Sequence, residues 1–380
     1  MSISREKTLT TIEGAAMIAG TGIGSGVMAI PYLVKSAGAV GGLSAFIAAF
    51  LLSVFMHDLV ADMVINSGEY EITKIFGRLL LQGKWRKPLE LLFFVLTALM
   101  LIANLSAYIL GGAQVLCTLL PIPEVIANLT FYAMAIIPVL LGLSAIGVGE
   151  KWLVALIGLL LTVMTMFSLT KAQGMISLYG SLHATLGVFS TLMFSLTALF
   201  AVPELARGMH NDAHQIKKAI FGGLSFNLLI CLLICISAII ASDNVTEMAA
   251  VGLSDAFGSV AGIFSSVFVL LAMLTSFFVL AFSLTGIVSA QFHVKRWLCF
   301  CAATLPALLT SFIPLVSFTD MVNVASGMIS LLICLLLVPA YWKSVQITGR
   351  SPVTGHWGQN RILLASVIIG SFLVMIGALL

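Results

Sequence analysis

Charge is what this sequence has least of. Only 9% of its 380 residues are Asp, Glu, Lys or Arg, while 60% are hydrophobic. A soluble domain carries about 25% charged residues. So few charges cannot coat a water-exposed surface of this size, and the solvent for most of the chain must be lipid. The net charge of +3 is small and carries no nucleic-acid signature. The six cysteines (Cys117, Cys231, Cys235, Cys299, Cys301 and Cys334) lie in or beside apolar runs without histidine flanks. They read as small apolar filler rather than metal ligands. The motifs of common enzymes are missing too: no His-Glu-x-x-His, no Gly-x-Ser-x-Gly, no phosphate-binding Gly-Lys-Ser/Thr. An enzyme is therefore not expected, nor is a bound cofactor. Nothing in the sequence sets an oligomeric state.

Long apolar runs are what remains. Behind the polar Met1–Lys7, the first run is too long for a signal-peptide core and lacks a clean cleavage site. A span needs about 20 mostly apolar residues, and eleven stretches qualify: Thr10–Val34, Val40–Ile65, Leu89–Leu119, Val125–Ile146, Trp152–Leu169, His183–Arg207, Ile220–Ala241, Val260–Ser289, Leu298–Val316, Met321–Tyr341 and Ile362–Leu380. Helices alone satisfy their own backbone in lipid without closing a barrel, so the expectation is an all-α polytopic bundle of 11 transmembrane helices. With the N-terminus in the cytoplasm, all of the 18 lysines and arginines except Lys35 and Lys171 fall inside. That sorting supports both the span count and the orientation, since one wrong span would scramble it. The five tryptophans also fall at the cytoplasmic interface, Trp85 among them. The expected location is the plasma membrane, a bacterial inner membrane, with the C-terminus on the outer side. Ser67–Lys87 puts Ile72, Ile75, Phe76, Leu79 and Leu80 on one helical face and reads as an amphipathic surface helix. The outer segment Asp243–Gly258 has no Lys or Arg and is a candidate lid.

Two spans share a pattern. Ala29-Ile-Pro-Tyr-Leu-Val-Lys35 in the first is echoed by Ala201-Val-Pro-Glu-Leu-Ala-Arg207 in the sixth. Lys35 falls outside and Arg207 inside, so the copies run in opposite directions. That is the signature of an inverted repeat: residues 1–170 (helices 1–5), then 183–345 (helices 6–10), with 362–380 as an added helix 11. Before the first proline stand Gly20, Gly22, Gly24 and Gly26, interleaved with Thr21, Ile23 and Ser25. Such a run reads as an unwound stretch, and lipid tolerates free backbone groups only where they line a cavity. The half-helix beginning near Ser25 and Gly26 would aim N–H groups and positive dipole at a carboxylate. Glycines at spacing four also suit a close helix crossing. The matching stretch of span six, Phe194-Ser195-Leu-Thr197-Ala198-Leu-Phe200, has hydroxyls but no glycine. Its loosened carbonyls would accept an ammonium group.

The first-helix run Ala19–Pro31, together with Ala37-Gly-Ala-Val-Gly41, Leu105-Ser-Ala-Tyr108-Ile-Leu-Gly-Gly112, Ala272-Met-Leu-Thr275-Ser276-Phe277 and Ser283-Leu-Thr-Gly286, resembles the aromatic and hydroxy amino acid permeases. These belong to the amino acid–polyamine–organocation superfamily. The resemblance implies a five-plus-five inverted repeat with helices 1 and 6 broken. It further implies alternating access, solute carboxylate binding by the Ser25 and Gly26 backbone, and Tyr108 beside the site. Where many members carry Ser-Phe-Gly-Phe-His, this chain has Ser195-Leu-Thr-Ala-Leu-Phe200. That departure speaks against an aromatic solute, for a smaller or more apolar one, or for a different coupling mechanism. In the resembled fold the first and eighth helices touch at a cation site. Here that set comprises Gly20, Ile23, Ala272, Thr275 and Ser276, a cage of oxygens without a nearby carboxylate that suits Na⁺. The resembled permeases are usually proton symporters, so the coupling ion expected is H⁺ or Na⁺. Hydroxyls of this kind also bond to their own i−4 carbonyls.

A proton-coupled carrier needs an ionisable group near the midplane. The candidates are Glu13, on the inner side of the first half-helix, His57, Asp58 and Asp62, near the inner end of span two, and Glu204 after Pro203, with gate or interface pairing to Lys151 and the inner loops as the plainer role. His183 and His293 read as interfacial, Asn104 and Asn227 as interhelical hydrogen-bond partners. The expected function is uptake of an amino acid by a symporter. A channel would show polar faces or a charged ring, whereas an amino acid sensor built on a carrier fold would share this pattern. The threading is checked with Lys87→Cys and Lys217→Cys. Neither position should react with an impermeant maleimide added outside intact cells, and labelling at either overturns the topology.

Overall fold

The computed structural model describes residues 9–81, 84, 86–170, 175–241, 245, 259–292, 294–313 and 318–379. Trp85, Lys171, His293 and most of the candidate lid lie outside them. Among the described residues, regular structure is entirely helical: α1 (Thr11–Gly22), α2 (Ile30–Ser67), α3 (Ile72–Leu80), α4 (Arg86–Leu119), α5 (Glu124–Leu141), α6 (Leu143–Leu169), α7 (Leu182–Ser195), α8 (Val202–Gly208), α9 (Ala213–Ala241), α10 (Ser259–Phe292), α11 (Arg296–Thr310), α12 (Phe318–Leu332), α13 (Val338–Thr348) and α14 (Arg361–Leu379). Eight segments are long and apolar enough to span, α11 and α14 are shorter apolar helices, and α1 is the inner half of the broken first span. Together they make the 11 transmembrane helices of a five-plus-five inverted repeat with one added C-terminal helix.

The repeat is visible in the local geometry of its two broken spans. In the first, α1 stops at Gly22, a 3₁₀ turn covers Ser25–Met28, and helix resumes at Ile30 with Pro31 in its first turn. In the sixth, α7 stops at Ser195, a 3₁₀ turn covers Leu199–Ala201, and α8 starts at Val202 with Pro203 in its first turn. Proline suits that position because the first turn's N–H groups lack helical acceptors anyway. Each resumed half-helix is short and ends at a left-handed corner: Gly38 (φ 74°) after the first, His210 and Asn211 (φ 50° and 59°) after the second. Asp212 then caps α9 by accepting the N–H groups of His214 and Gln215.

The helices sort into two groups. The first and sixth spans pack with α9 and the long arm of α2 beyond Gly38, whereas α4, α5, α10 and α11 pack with one another. α1, α6 and α10 meet where the groups adjoin. α3 lies as the amphipathic pattern requires, with Ile72, Ile75, Phe76 and Leu79 buried and Arg78 exposed. α14 lies against α7 and α12, with the Ser190 hydroxyl donating to the Val374 carbonyl at 2.9 Å. The tenth span is continuous through a π turn at Ile333–Leu337 just before Pro339, where the proline cannot donate to the helical ladder.

One boundary differs from the hydropathy reading. Span four was expected to reach Ile146 and span five to start at Trp152. Instead α5 ends at Leu141 and α6 starts at Leu143, with Gly142 (φ 99°, ψ −178°) as the whole connection. A glycine takes that φ without Cβ strain, and both flanks are apolar, so hydropathy sees no loop. The consequence is that Glu150 lies inside a spanning helix.

Gly38 turns the first span into the second. A Cβ there would sit 2.7 Å from the Tyr179 carbonyl carbon, and φ is left-handed. The outer strap is bonded at the same corner, with Ala39 and Val40 N–H donating to Ser177 and Leu178 and Ser181 N–H to Ser36. Gly38→Ala should destabilise the fold by roughly 1–3 kcal/mol, read as a lowered Tm in detergent. An unchanged Tm would mean that this corner is not strained by a side chain.

Candidate functional site

The two breaks touch. A Cβ on Gly22 would lie 2.6 Å from the Ser195 carbonyl oxygen, and one on Gly26 would lie 3.0 Å from Ser195 Oγ and 3.1 Å from the Phe194 ring. One on Gly24 would lie 3.2 Å from the Tyr108 hydroxyl and 3.9 Å from Ser276 Oγ. A side chain at Gly22 would collide with the end of α7, and one at Gly24 or Gly26 would press on Tyr108 or on Phe194 and Ser195. The structure thus brings together Gly22, Gly24, Gly26, Tyr108, Phe194 and Ser195. Ser195 is buried, and its hydroxyl has no partner among the described residues. The 3₁₀ turn that starts at Ser25 leaves its first N–H groups without acceptors inside the turn, and the Gly24 cap offers no side-chain oxygen. Gly26 N–H and Ser195 Oγ are the kind of donors that a carboxylate accepts.

Three of the expected binding residues are otherwise engaged. Thr21 Oγ1 donates to the Met17 carbonyl at 2.6 Å and Thr197 Oγ1 to the Met193 carbonyl at 2.6 Å. These are the i−4 bonds that buried threonines make in helices. The Ala198 N–H donates to His57 Nε2 at 2.9 Å, while the other ring nitrogen, Nδ1, lies 2.7 Å from the Ser53 carbonyl. The carbonyls of the second break are also largely taken: Asn227 Nδ2 donates to that of Ser195 at 2.7 Å and Ser283 Oγ to that of Phe200 at 2.9 Å. Asn227 is the interhelical partner its sequence position suggested. Asn104 is buried with an unpartnered oxygen.

The helix 1–helix 8 set converges. Thr275 Oγ1 lies 3.1 Å from the Gly20 carbonyl and 2.9 Å from that of Ala272. Ser276 Oγ lies 3.0 Å, 3.2 Å and 3.1 Å from the carbonyls of Gly20, Thr21 and Ala272. Ile23 follows as the C-cap of α1. The cage has a wall that the sequence reading missed. Glu150 on α6 is fully buried, neither carboxylate oxygen has a partner among the described residues, and a Cβ on Gly20 would overlap that carboxylate. The expectation of a cage without a nearby carboxylate is therefore corrected. Glu150 escaped notice because it was assigned to a loop, and only the position of the Gly142 turn could have revealed it.

The inner ends of both broken spans are tied. Leu9 N–H donates to the Gly208 carbonyl at 2.9 Å, linking the start of α1 to the end of α8. Glu13 pairs with Lys151 at 3.7 Å, and Arg207 pairs with Glu71 at 2.8 Å and Glu204 at 3.2 Å. Asp62 is not among these ties. It accepts the N–H groups of Val353 and Thr354, the first at 2.7 Å, and so holds the connection between spans ten and eleven.

No protein-family model matches the chain, and no curated protein is similar to it in sequence. Solved structures are similar in fold. A nucleobase-cation-symport-1 family transporter, MHP1, closed with bromovinylhydantoin bound, superposes with a TM-score of 0.70 at 13% identity, over 98% of this chain and 92% of that one. MhsT in complex with L-phenylalanine gives 0.68 at 14%, over 99% of each chain. The Eremococcus coleocola manganese transporter, in complex with an aromatic bis-isothiourea compound, gives 0.66 at 15%, over 100% of this chain and 90% of that one. The chain has the fold of these transporters. Among the described residues, no three His, Cys, Asp or Glu side chains converge on one point that could hold a metal ion.

Gly26→Val should lower solute uptake at least about tenfold, equivalent to about 1.4 kcal/mol, because the side chain would fill the gap to Phe194 and Ser195. Uptake by vesicles carrying equal amounts of inserted protein is the measurement. Normal uptake would remove the first break from the site.

Proposed function

We propose that this chain is a secondary active transporter that imports an amino acid across a bacterial inner membrane by symport and alternating access. The observation that carries this reading is the meeting of the two breaks. Gly22–Gly26 and Phe194–Ser195 bring a helix start, an unpartnered buried hydroxyl and the Tyr108 hydroxyl to one place inside an apolar bundle. A carboxylate fits the helix start, and the surrounding apolar and aromatic side chains fit a small organic body. The first-helix motif and Tyr108 support a place beside the aromatic and hydroxy amino acid permeases. Thr197 and Leu199, at positions where that family often has glycine and histidine, favour a smaller or more apolar solute.

The coupling cation is H⁺ or Na⁺, and its site is the junction of α1, α6 and α10. An uncompensated carboxylate inside an apolar bundle costs several kcal/mol, and either cation would answer Glu150. The oxygens of Gly20, Ala272, Thr275 and Ser276 stand beside it. Because Gly20 also belongs to the first broken helix, occupancy at the cation site bears directly on the shape of the solute site. Release to the cytoplasm requires α1 and α8 to part at their inner ends. The ties to break are the Leu9–Gly208 bond and the Glu13–Lys151 and Arg207–Glu71 pairs, each worth at most about 1–3 kcal/mol. The N-terminus lies in the cytoplasm and the C-terminus outside.

Purified protein in proteoliposomes, given a panel of labelled amino acids under separate Na⁺ and pH gradients, tests this. One amino acid should accumulate above equilibrium under one of the gradients. Binding without flux would indicate a sensor and overturn the carrier reading. Glu150→Gln should abolish gradient-driven accumulation while leaving solute counterflow, and full accumulation by that variant would remove Glu150 from coupling.

A further inference from the structure

The second break poses a problem that the first does not. It has no glycine, and its backbone must still find partners in a region without water. Leu196 N–H donates to Leu192, Thr197 N–H to Phe194 and Ala201 N–H to Ala198. Ala198, at the centre of the unwound residues, donates instead to a side chain, His57 Nε2 at 2.9 Å. The imidazole is 1% exposed. Its Nδ1 faces the Ser53 carbonyl at 2.7 Å.

These two partners fix the tautomer without appeal to any other group. A carbonyl only accepts, so Nδ1 carries hydrogen. An amide N–H only donates, so Nε2 carries a lone pair. A proton added to Nε2 would set N–H against N–H. Proton occupancy and the Ala198 hydrogen bond therefore exclude one another. Ionisable groups on α2 and on the helices packed against it include Asp58 and Asp62 on the same helix, Glu204 and Arg207 on α8, Lys217 on α9 and Tyr341 on α13. None of them bonds to the imidazole among the described contacts. Arg207 and Glu204 pair with each other, Lys217 donates to the Val353 carbonyl, and Tyr341 and Asp62 both bond to Thr354.

We infer that His57 is a positioning residue for the second break and that its Nε2 is a protonation site: a proton bound there displaces the Ala198 N–H and frees the segment that joins α7 to α8. The local statement stands on the geometry alone, and its consequence for transport rests on the carrier reading. In that setting one proton loosens the hinge of α8, the half-helix whose inner end is tied to Leu9 and Glu71. His57 lies on α2, while Glu150 and the helix 1–helix 8 oxygens lie at a different junction. The proton thus binds at a site separate from the one proposed for the coupling cation.

The test is amide exchange of residues 194–201 in the purified protein, followed by mass spectrometry from about pH 7.5 down to about pH 4, a range that brackets histidine titration. After correction for intrinsic exchange chemistry, this segment should exchange at least about tenfold faster at the acid end, about 1.4 kcal/mol of lost protection. In His57→Gln, whose side-chain carbonyl accepts the same N–H but does not titrate, the corrected rate should be flat. A pH-independent rate in the wild-type protein overturns the inference, and so does the same acid rise in His57→Gln. If the variant fails to fold, the wild-type exchange profile decides. In parallel, solute exchange at equal pH on both sides of the vesicle should vary with pH in the wild type and lose that dependence in His57→Gln. Absence of any solute flux alongside a pH-dependent wild-type exchange profile would remove the carrier reading and leave the protonation site standing.

Discussion

A backbone amide or carbonyl in the middle of a membrane must find a partner, and the interior of this protein is organised around that requirement. Both broken spans expose such groups near the centre of the bundle. At the first, the carbonyls of Gly20 and Thr21 are met by Thr275 and Ser276. At the second, the partners are Asn227, Ser283 and His57. Most of the polar side chains buried around the two breaks are there for this purpose. The few that are not, Ser195 Oγ and the Glu150 carboxylate, have no partner among the described residues.

The same requirement explains why the two halves of the inverted repeat look so different in sequence. The first break is made by glycine, which permits close approach by Ser195, Tyr108 and Glu150. The second is made without glycine and is held by side chains from α2, α9 and α10. The halves share a geometry, a long half-helix followed by a 3₁₀ turn and a short half-helix with proline in its first turn. They reach it by different chemistry.

Closure at the inner face is local and weak by comparison. One backbone bond and two ion pairs tie α1 and α8 to each other, to α6 and to the residue preceding α3. The outer corner at Gly38 is instead bonded along a strap of consecutive backbone groups. Local stability thus differs between the two ends of the broken spans.

Much of the architecture was legible in the residues themselves. Hydropathy marks the spans because lipid requires about 20 apolar residues for each. The Ile30-Pro31 and Val202-Pro203 echo places both breaks, since proline suits the first turn of a resumed helix. The glycine run marks where the first span unwinds. What tertiary structure alone decided is which groups are left over. Glu150 became visible only when Gly142 was found to turn two helices in a single residue, moving the carboxylate from a loop to the wall beside Gly20. His57 read as an inner-end ionisable group, yet its two hydrogen bonds place it on the second break. Thr21 and Thr197 read as ligands, yet each returns its hydroxyl to its own helix. A sequence records which polar groups enter the membrane. Whether each is spent on the backbone or kept for a ligand depends on distances of about 3 Å between helices far apart in the chain, which no local pattern encodes.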